Sequence, residues 1–383
     1  MTNSANIKSV YYIRQSAVIS GKKQWREMQH VKWIKNAGYD VTLICSSFDH
    51  YKKKQREESN ILDINIHKIW SPGYLRNQSI MRIIDAWVFS ILLFFYLVRT
   101  IGRDDMLICS FPTPEAAFST KLVSFFKCSK VVFDFRDAWP DALSQFNCLK
   151  KVFSIYVIIL LRFIFIKKRK MRVIFMSYGI RTYYEKKIRL ITNESIIHNS
   201  IDNLNITAKE KNQNSPIVFV GSLNNQFSFD ELLDLDLNDE QLADILIIGT
   251  GEKLEAVKKQ FSNFQKVKVL GPLSYEDAMN KLASAKATFF FYSNPLLFDN
   301  HTSNKVVEAI NLRIPIITNL NKPSFDIWGD SHLVGVTTRN TNIHQIFKKN
   351  FIFPKMSPYL ITVFSESRVK KIFLNAVFTS PLS

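Results

Sequence analysis

The chain has 383 residues, of which 46% are hydrophobic, with only 11 Gly and 12 Pro. That composition excludes a disordered or fibrous protein, and the length suits two domains, each able to bury a core. Cys45, Cys109, Cys128 and Cys148 show no CxxC or Cys/His metal spacing, and no secretory signal opens the chain, so they read as reduced thiols of a cytoplasmic protein. The 51 Lys and Arg against 33 Asp and Glu leave a formal charge of +18 that calls for an anionic partner.

In chain order, Ser9–Ile13 reads as a strand, followed by a loop containing Ser20 and Gly21. A helix is expected from about Lys23 to Asn36, stopped by Gly38. Strands follow at Asp40–Cys45, Ile64–Ile69, Met106–Cys109, Val131–Phe135 and Val173–Met176, with a polar interruption from Asp49 to Asn60. Ile201–Ser215, rich in Asn and Lys, reads as a linker. Strands then recur near Ile217–Val220, Ile245–Ile248, Val267–Leu270, Ala287–Tyr292, Ile314–Thr318 and Leu333–Val336. The helices between them fall near Asp230–Leu235, Lys253–Gln260, Tyr275–Ser284, Asn304–Asn311 and Asn342–Lys348, and a terminal helix spans about Thr362 to Phe378. Short β-rich runs alternating with helices predict an α/β chain that uses one parallel-sheet architecture twice.

The charge is concentrated. Between Lys150 and Arg189 twelve basic residues face one acid, Glu185, giving +11 of the +18. This segment begins with the apolar run Val152–Ile166 and continues into Lys167-Lys168-Arg169-Lys170; a second apolar run covers Ala86–Val98. Both are shorter than the ~20 residues that span a bilayer. They fit either buried core helices or helices lying in a membrane interface with cationic ends at the headgroups. The basic run beside the second favours an anionic membrane surface, and neither exposed aromatics interleaved with the basic residues nor an RNA-binding motif points to nucleic acid.

The segment Thr302-Ser303-Asn304-Lys305-Val306-Val307-Glu308, followed by Arg313–Ile317, reads as a loop, a helix start, a carboxylate one turn in, and a short strand. Helix N-termini at strand ends offer N–H groups to phosphate, and a carboxylate just beyond can accept two hydrogen bonds from a ribose diol. A capped surface helix with a solvated Glu308 is the plainer alternative. Arg136 and Asp137 lie just past the Val131–Phe135 strand, where Asp137 can orient or deprotonate a hydroxyl and Arg136 can meet a phosphate; an internal ion pair is the alternative. Asp234-Leu235-Asp236 has metal-binding spacing but falls in a helix-to-loop region, and accidental spacing is the better account.

These blocks together resemble glycosyltransferase family 4. Ile217–Leu223 resembles that family's opening strand and glycine loop, Ile247–Gly251 its Gly-x-Gly turn, Val269–Gly271 its next strand, and Ser303–Ala309 through Pro315–Ile317 its donor block. Phe133–Pro140 resembles the R-D-L-W-P segment of members that build O-antigen and capsule, and Ile197–Asp202 the segment before the linker. The likeness covers roughly residues 7–350. It implies a GT-B fold: two Rossmann-like domains facing across a cleft, an acceptor domain over 1–200, a linker over 201–215, a nucleotide-sugar domain over 216–360, and a terminal helix over 361–383.

The resemblance further implies retaining transfer of a sugar, hexosyl or N-acetylhexosaminyl, from a UDP- or GDP-sugar co-substrate to a polyprenyl-linked saccharide, with no cofactor and no metal, at the inner face of the cytoplasmic membrane. Glu308 would bind the donor ribose; Thr302, Ser303 and Lys305 would meet its phosphates or sugar, with Asn300 close by. Gly221 and Ser222 would let the first loop approach the diphosphate, and Gly249 and Gly251 would either do the same or form a plain turn. Asp137 and Arg136 would be catalytic, and Ser20, Gly21 and Trp139 would bind the acceptor. The chain departs from the family pattern in two places. Asn300 stands where many members carry Glu, and Ser222-Leu223-Asn224-Asn225-Gln226 lacks the usual loop cations. A nucleotide-sugar 2-epimerase on the same fold and a catalytically silent binding module are the competing functions.

Overall fold

The computed structural model describes residues 7–19, 25–56, 64–76, 79–127, 129–139, 150–166, 171–188, 194–201, 206, 209–295, 303–321, 324–327 and 330–379. They form two compact units, residues 1–198 with 369–383, and residues 199–368.

The first unit contains strands β1 (Ser9–Ile13), β2 (Asp40–Ser46), β3 (Phe48–Asp49), β4 (Lys54–Gln55), β5 (Asn65–Ile69), β6 (Met106–Phe111), β7 (Lys130–Phe135), β8 (Met171–Phe175) and β9 (Glu194–Ile196). All but the β3–β4 hairpin join one parallel sheet in the order β5-β2-β1-β6-β7-β8-β9. Strand order therefore reverses between β1 and β6, where Ile13 pairs with Ile44 on one side and Cys109 on the other. Its helices are α1 (Arg26–Asn36), α2 (Ile80–Thr100), α3 (Pro114–Lys127), α4 (Lys150–Ile164) and α5 (Tyr178–Lys187). Phe89, Leu93 and Leu97 of α2, Val123 of α3 and Val157 and Leu161 of α4 pack with Leu107, Phe133 and Val173 in one buried cluster. On the opposite face, Val31 and Ile34 of α1 pack with Val10, Tyr12 and Ile108. With helices on both faces, the strands are near-continuous hydrophobe, as a doubly covered sheet requires.

The second unit repeats the plan. Strands β10 (Ile217–Val220), β11 (Ile245–Ile248), β12 (Val267–Gly271), β13 (Ala287–Phe290) and β14 (Ile316–Thr318) are followed by the antiparallel hairpin β15 (Ser324–Ile327) and β16 (Asp330–Leu333), then β17 (Gly335–Thr337). The parallel sheet runs β12-β11-β10-β13-β14-β17, again reversing beside its first strand. Helices α6 (Leu254–Phe261), α7 (Tyr275–Ala283), α8 (Asn304–Asn311), α9 (Ile343–Ile346) and α10 (Tyr359–Phe364) surround it, and Asp230–Asp234 is a 3-10 turn. The two parallel-sheet α/β units expected from the sequence are thus both present.

Four expectations change, the first being that the helix expected near Asp230–Leu235 is only the 3-10 turn Asp230–Asp234. The terminal helix is not continuous: α10 stops before Ser365, which turns to an extended conformation (φ −58°, ψ 139°), and a new helix α11 (Glu366–Leu374) begins. From Val369 onward α11 belongs to the first unit, where Phe373 stacks on His30 of α1 with ring centroids 3.9 Å apart, and Arg172 Nη1 donates to the carbonyls of Ala376 and Val377 at 2.7 and 2.6 Å. The polar interruption after Cys45 contains the β3–β4 hairpin. The apolar run Ala86–Val98 is the middle of a longer helix, because Ser79 caps α2 by accepting from the Arg82 N–H.

Candidate functional site

In the second unit the loops after β10 and β11 lie backbone against backbone. Gly221 N–H donates to Ile248 O at 3.0 Å, Leu223 N–H to Thr250 O at 2.9 Å, and Lys253 N–H to Leu223 O at 2.9 Å. A Cβ on Gly249 would sit 1.8 Å from Gly221 O, and one on Gly251 2.2 Å from Leu223 O. Glycine at 249 and 251 is therefore demanded by the packing of one loop on the other, in agreement with the plain-turn alternative. Gly221 has a different neighbour. A Cβ there would meet Lys305 Cε at 2.2 Å, so the missing side chain makes room for Lys305 to lie over the loop, its Nζ 4.8 Å from the Phe227 ring centroid. Ser222 is exposed on the same loop.

Helix α8 begins beside that lysine. Ser303 is its N-cap residue, extended at φ −78°, ψ 159°, and its carbonyl accepts from Val306 N–H at 3.1 Å. Burial pushes the nearby Tyr292 phenol up to about 12, with the Ser303 hydroxyl beside it as the opposing influence. Asn199 Nδ2 donates to Asn304 Oδ1 at 2.5 Å, a bond within the second unit that fixes this helix start. One turn further, half-buried Glu308 accepts from the Tyr275 hydroxyl at 3.0 Å through Oε1. Tyr275 opens α7, 33 residues earlier in the chain, and nothing in its local pattern separates it from any other first-turn residue. Asn300 and Thr302 lie outside the described residues. The unit thus assembles, at the reversal point of its sheet, a glycine loop, a helix N-terminus, one lysine and one oriented carboxylate: donors and charge suited to a phosphorylated diol.

In the first unit the corresponding strand ends carry buried charge. Asp134, fully buried on β7, takes Arg26 Nε and Nη2 at 3.1 and 3.0 Å, and Arg26 Nη1 donates to His198 O at 2.9 Å. Burial raises the Asp134 carboxyl, but Arg26 outweighs it and holds the pKa at about 2. Arg136 Nη1 donates to Glu27 Oε2 at 2.8 Å, with both side chains nearly out of solvent. Burial opposes the Glu27 carboxylate, while Arg136, then Arg14, lower its pKa. Burial and the Arg26 charge push the His30 imidazole well below its ordinary value, and its Nδ1 pairs with the Tyr12 hydroxyl at 3.0 Å.

The internal-ion-pair alternative therefore describes Arg136, with Glu27 of α1 rather than Asp137 as the partner. Asp137 is half-buried, and its carbonyl accepts from the Tyr184 hydroxyl at 2.9 Å and from Trp139 N–H at 3.0 Å. Trp139 is buried against Phe111 and Phe153, with the Arg82 guanidinium 5.7 Å from its ring centroid. Ser20 and Gly21 lie outside the described residues. Among the described residues no group of three His, Cys, Asp or Glu side chains is placed to hold a metal ion. Asp234 ends the 3-10 turn, and Asp236 Oδ1 accepts from Asn238 N–H at 3.2 Å.

Neither protein-family models nor curated proteins match the sequence. Solved structures do. A lipopolysaccharide outer core galactosyltransferase, WaaB, superposes with a TM-score of 0.59 at 14% identity, covering 96% of this chain and 99% of its own. WaaG, a glycosyltransferase involved in lipopolysaccharide biosynthesis, gives 0.58 at 12% identity, covering 97% and 91%. HepE from Anabaena, in complex with UDP-glucose, gives 0.53 at 15% identity, covering 81% and 80%. At these identities the likeness establishes the fold: the chain has the GT-B fold that the glycosyltransferases WaaB and WaaG share.

Proposed function

We propose that this protein is a glycosyltransferase of surface-polysaccharide synthesis, which moves a sugar from a UDP- or GDP-sugar to a lipid-linked saccharide at a membrane surface. The observation that carries the reading is the α8 arrangement, with Glu308 oriented by Tyr275 one turn past a helix start and Lys305 laid over the Gly221 loop. The carboxylate would take the ribose hydroxyls. Lys305 and the N–H groups at the start of α8 would take the diphosphate, whose growing charge on departure is the main thing to stabilise in such a transfer. That the structural neighbour HepE has been captured with UDP-glucose supports a nucleotide sugar as donor. Retention of configuration and family 4 membership are part of the proposal and are supported by the sequence resemblance; transfer without a metal belongs to the same reading.

The membrane surface is supported by the outer side of the first unit. Ile80, Met81, Ile84, Ile91, Leu92 and Phe95 are exposed along one stripe of α2, Phe125 and Phe126 at the end of α3, and Val152, Ile155 and Ile159 along α4. Helix α2, at 21 residues, is long and apolar enough to cross a bilayer. Its other stripe is committed to the core through Phe89, Leu93 and Leu97, which suits a helix lying in the interface. Exposed Arg99, Arg103 and Arg162 on or beside these helices would sit at anionic headgroups. A soluble epimerase has no use for such a layer. Expected is cosedimentation with phosphatidylglycerol vesicles that weakens with salt; a protein left in the supernatant at ~0.15 M salt overturns the membrane part.

Glu308→Ala tests the donor part. Charged hydrogen bonds to two hydroxyls are each worth about 1.5–3 kcal/mol, so UDP or GDP binding by calorimetry is expected to weaken at least about tenfold. Unchanged affinity sinks the pocket.

A further inference from the structure

Arg14 directly follows β1, at the reversal point of the first sheet, and its backbone N–H is fixed on Ile44 O at 2.9 Å. Its side-chain Nε and Nη1 are buried and, among the described residues, donate to nothing. The carboxylates around it are already taken. Asp134 is held by Arg26; Glu27 accepts from Val18 N–H through Oε1 and from Arg136 through Oε2. Arg14 acts on Glu27 only through its charge. A guanidinium presents five donors in a rigid fork, so dry, unspent donors here are a cost to the folded chain that a bound anion would remove.

Two more cations converge on the same sheet end. The β3–β4 hairpin carries Lys53, held at φ +55°, and its Nζ lies 4.4 Å from the Tyr74 ring centroid; the Arg82 guanidinium of α2 lies 5.9 Å from the same ring. The adjacent acids are engaged elsewhere. Asp49 accepts from the Tyr51 and Lys52 N–H groups and lies 3.5 Å from Arg56, while Asp85 accepts from Gly73 N–H and Gln15 Nε2. His50 samples the field of all three cations: burial, then Lys53, Arg82 and Arg14, push its imidazole down to about 3. Half-buried Asp137 is a further acid whose charge, like that of Arg14, reaches Tyr51 of the same hairpin.

We infer that Arg14, flanked by Lys53 and Arg82, is a phosphoryl-binding subsite in the first unit, and that it receives the phosphate or diphosphate of the acceptor. The anion is assigned to the acceptor on the strength of the proposed function; the subsite itself stands on Arg14. Arg136, already closed on Glu27, is not the residue that does this. A guanidinium suits the task because it meets two phosphate oxygens at once, with the neighbouring ammonium and guanidinium adding charge.

The test is calorimetric titration of the full chain with inorganic diphosphate in saturating UDP, which keeps the second unit occupied. Arg14→Gln is expected to lose at least tenfold in diphosphate affinity and Lys53→Asn, which tolerates the left-handed backbone, about threefold, while UDP affinity is unchanged in both. If Arg14→Gln does not fold, Arg14→Lys keeps the charge without the fork and is expected to bind three- to tenfold more weakly. Diphosphate affinity equal to that of the unaltered protein in the folded Arg14 variants overturns the subsite, as does no binding to the unaltered protein at millimolar diphosphate. A parallel arm uses phosphatidylglycerol vesicles: if Arg14→Gln weakens only vesicle binding, the anion is a lipid headgroup and the acceptor assignment fails. Absence of both UDP and GDP binding, with Arg14-dependent diphosphate binding retained, overturns the donor reading alone.

Discussion

The two units share a strand order and a reversal point, yet they fill the ends of their strands in opposite ways. In the second unit the loops after the first two strands are glycines at van der Waals limits, and among the residues assembled at the site the cation is Lys305, laid over Gly221. In the first unit the same position holds Arg14, Arg26, Glu27, Asp134 and Arg136, mostly out of water. One end presents bare backbone and the other presents fixed charge. The contrast teaches that a single topology can be tuned for two kinds of recognition. On the proposed reading, close backbone approach would serve a diphosphate held by N–H groups, while a braced ionic cluster keeps a surplus guanidinium in place.

The largest break in this comparison comes from the first unit's charge cluster. Asp134→Ala leaves Arg26 buried without its carboxylate and is expected to cost about 3–5 kcal/mol of stability by chemical denaturation, while UDP binding at any temperature where the variant is folded stays intact. If the loss is within about 1 kcal/mol, the charge is not structural and the contrast between the units dissolves.

Gly249→Ala is the matching cut in the second unit. Its Cβ would press on Gly221 O, backbone that can yield only by moving the loop. An overpacking cost of about 1–3 kcal/mol is expected, with UDP affinity falling because the loop shifts. Full affinity with full stability would mean that the two loops do not depend on each other.

The pH dependence separates the units next. His30 is held neutral by burial and by Arg26, so its folded pKa lies well below 6.5. The unfolded chain then binds a proton that the folded chain refuses. Stability is full above about pH 6.5 and declines as pH falls below it, by up to about 1.4 kcal/mol per pH unit from this one group. The depressed carboxyls of Glu27 and Asp134 add their loss only further down, as pH falls from the ordinary carboxylate range towards about 2. Denaturation of His30→Gln across pH 5–7 should show a shallower slope; an equal slope removes His30 from the account.

The smallest effect sharpens the donor side. Tyr275→Phe removes one hydroxyl from Glu308 and is expected to cost about 0.5–1.5 kcal/mol in UDP affinity, some two- to tenfold, with a melting temperature nearly unchanged. Equal affinity would mean that Glu308 needs no orientation.

Much of the fold was legible because it rests on local pattern. The β-branched runs at Ile217–Val220 and Ile245–Ile248 and the helix Asn304–Asn311 fall where periodicity and end signals place them. Glu308 was legible for the same reason, being fixed by its distance from a helix start. Arg136 was found as a residue, but its partner Glu27 lies 109 positions away, and no local spacing encodes that pairing. Arg14 carried no signal at all, since an arginine after a strand is ordinary until its surroundings are known.

The sequence alone determined the alternation of strands and helices, the basic and apolar segments, the glycine loops and the carboxylate after a helix start, because each is a property of neighbouring residues. Tertiary structure alone decided that Gly249 is required by Gly221 O, that Tyr275 orients Glu308, that the last helix returns to the first unit, and that Arg136 is spent while Arg14 is not. Those are contacts between residues far apart in the chain. Strand order and burial create them, and burial, by removing water as the alternative partner, makes each paired or unpaired charge count.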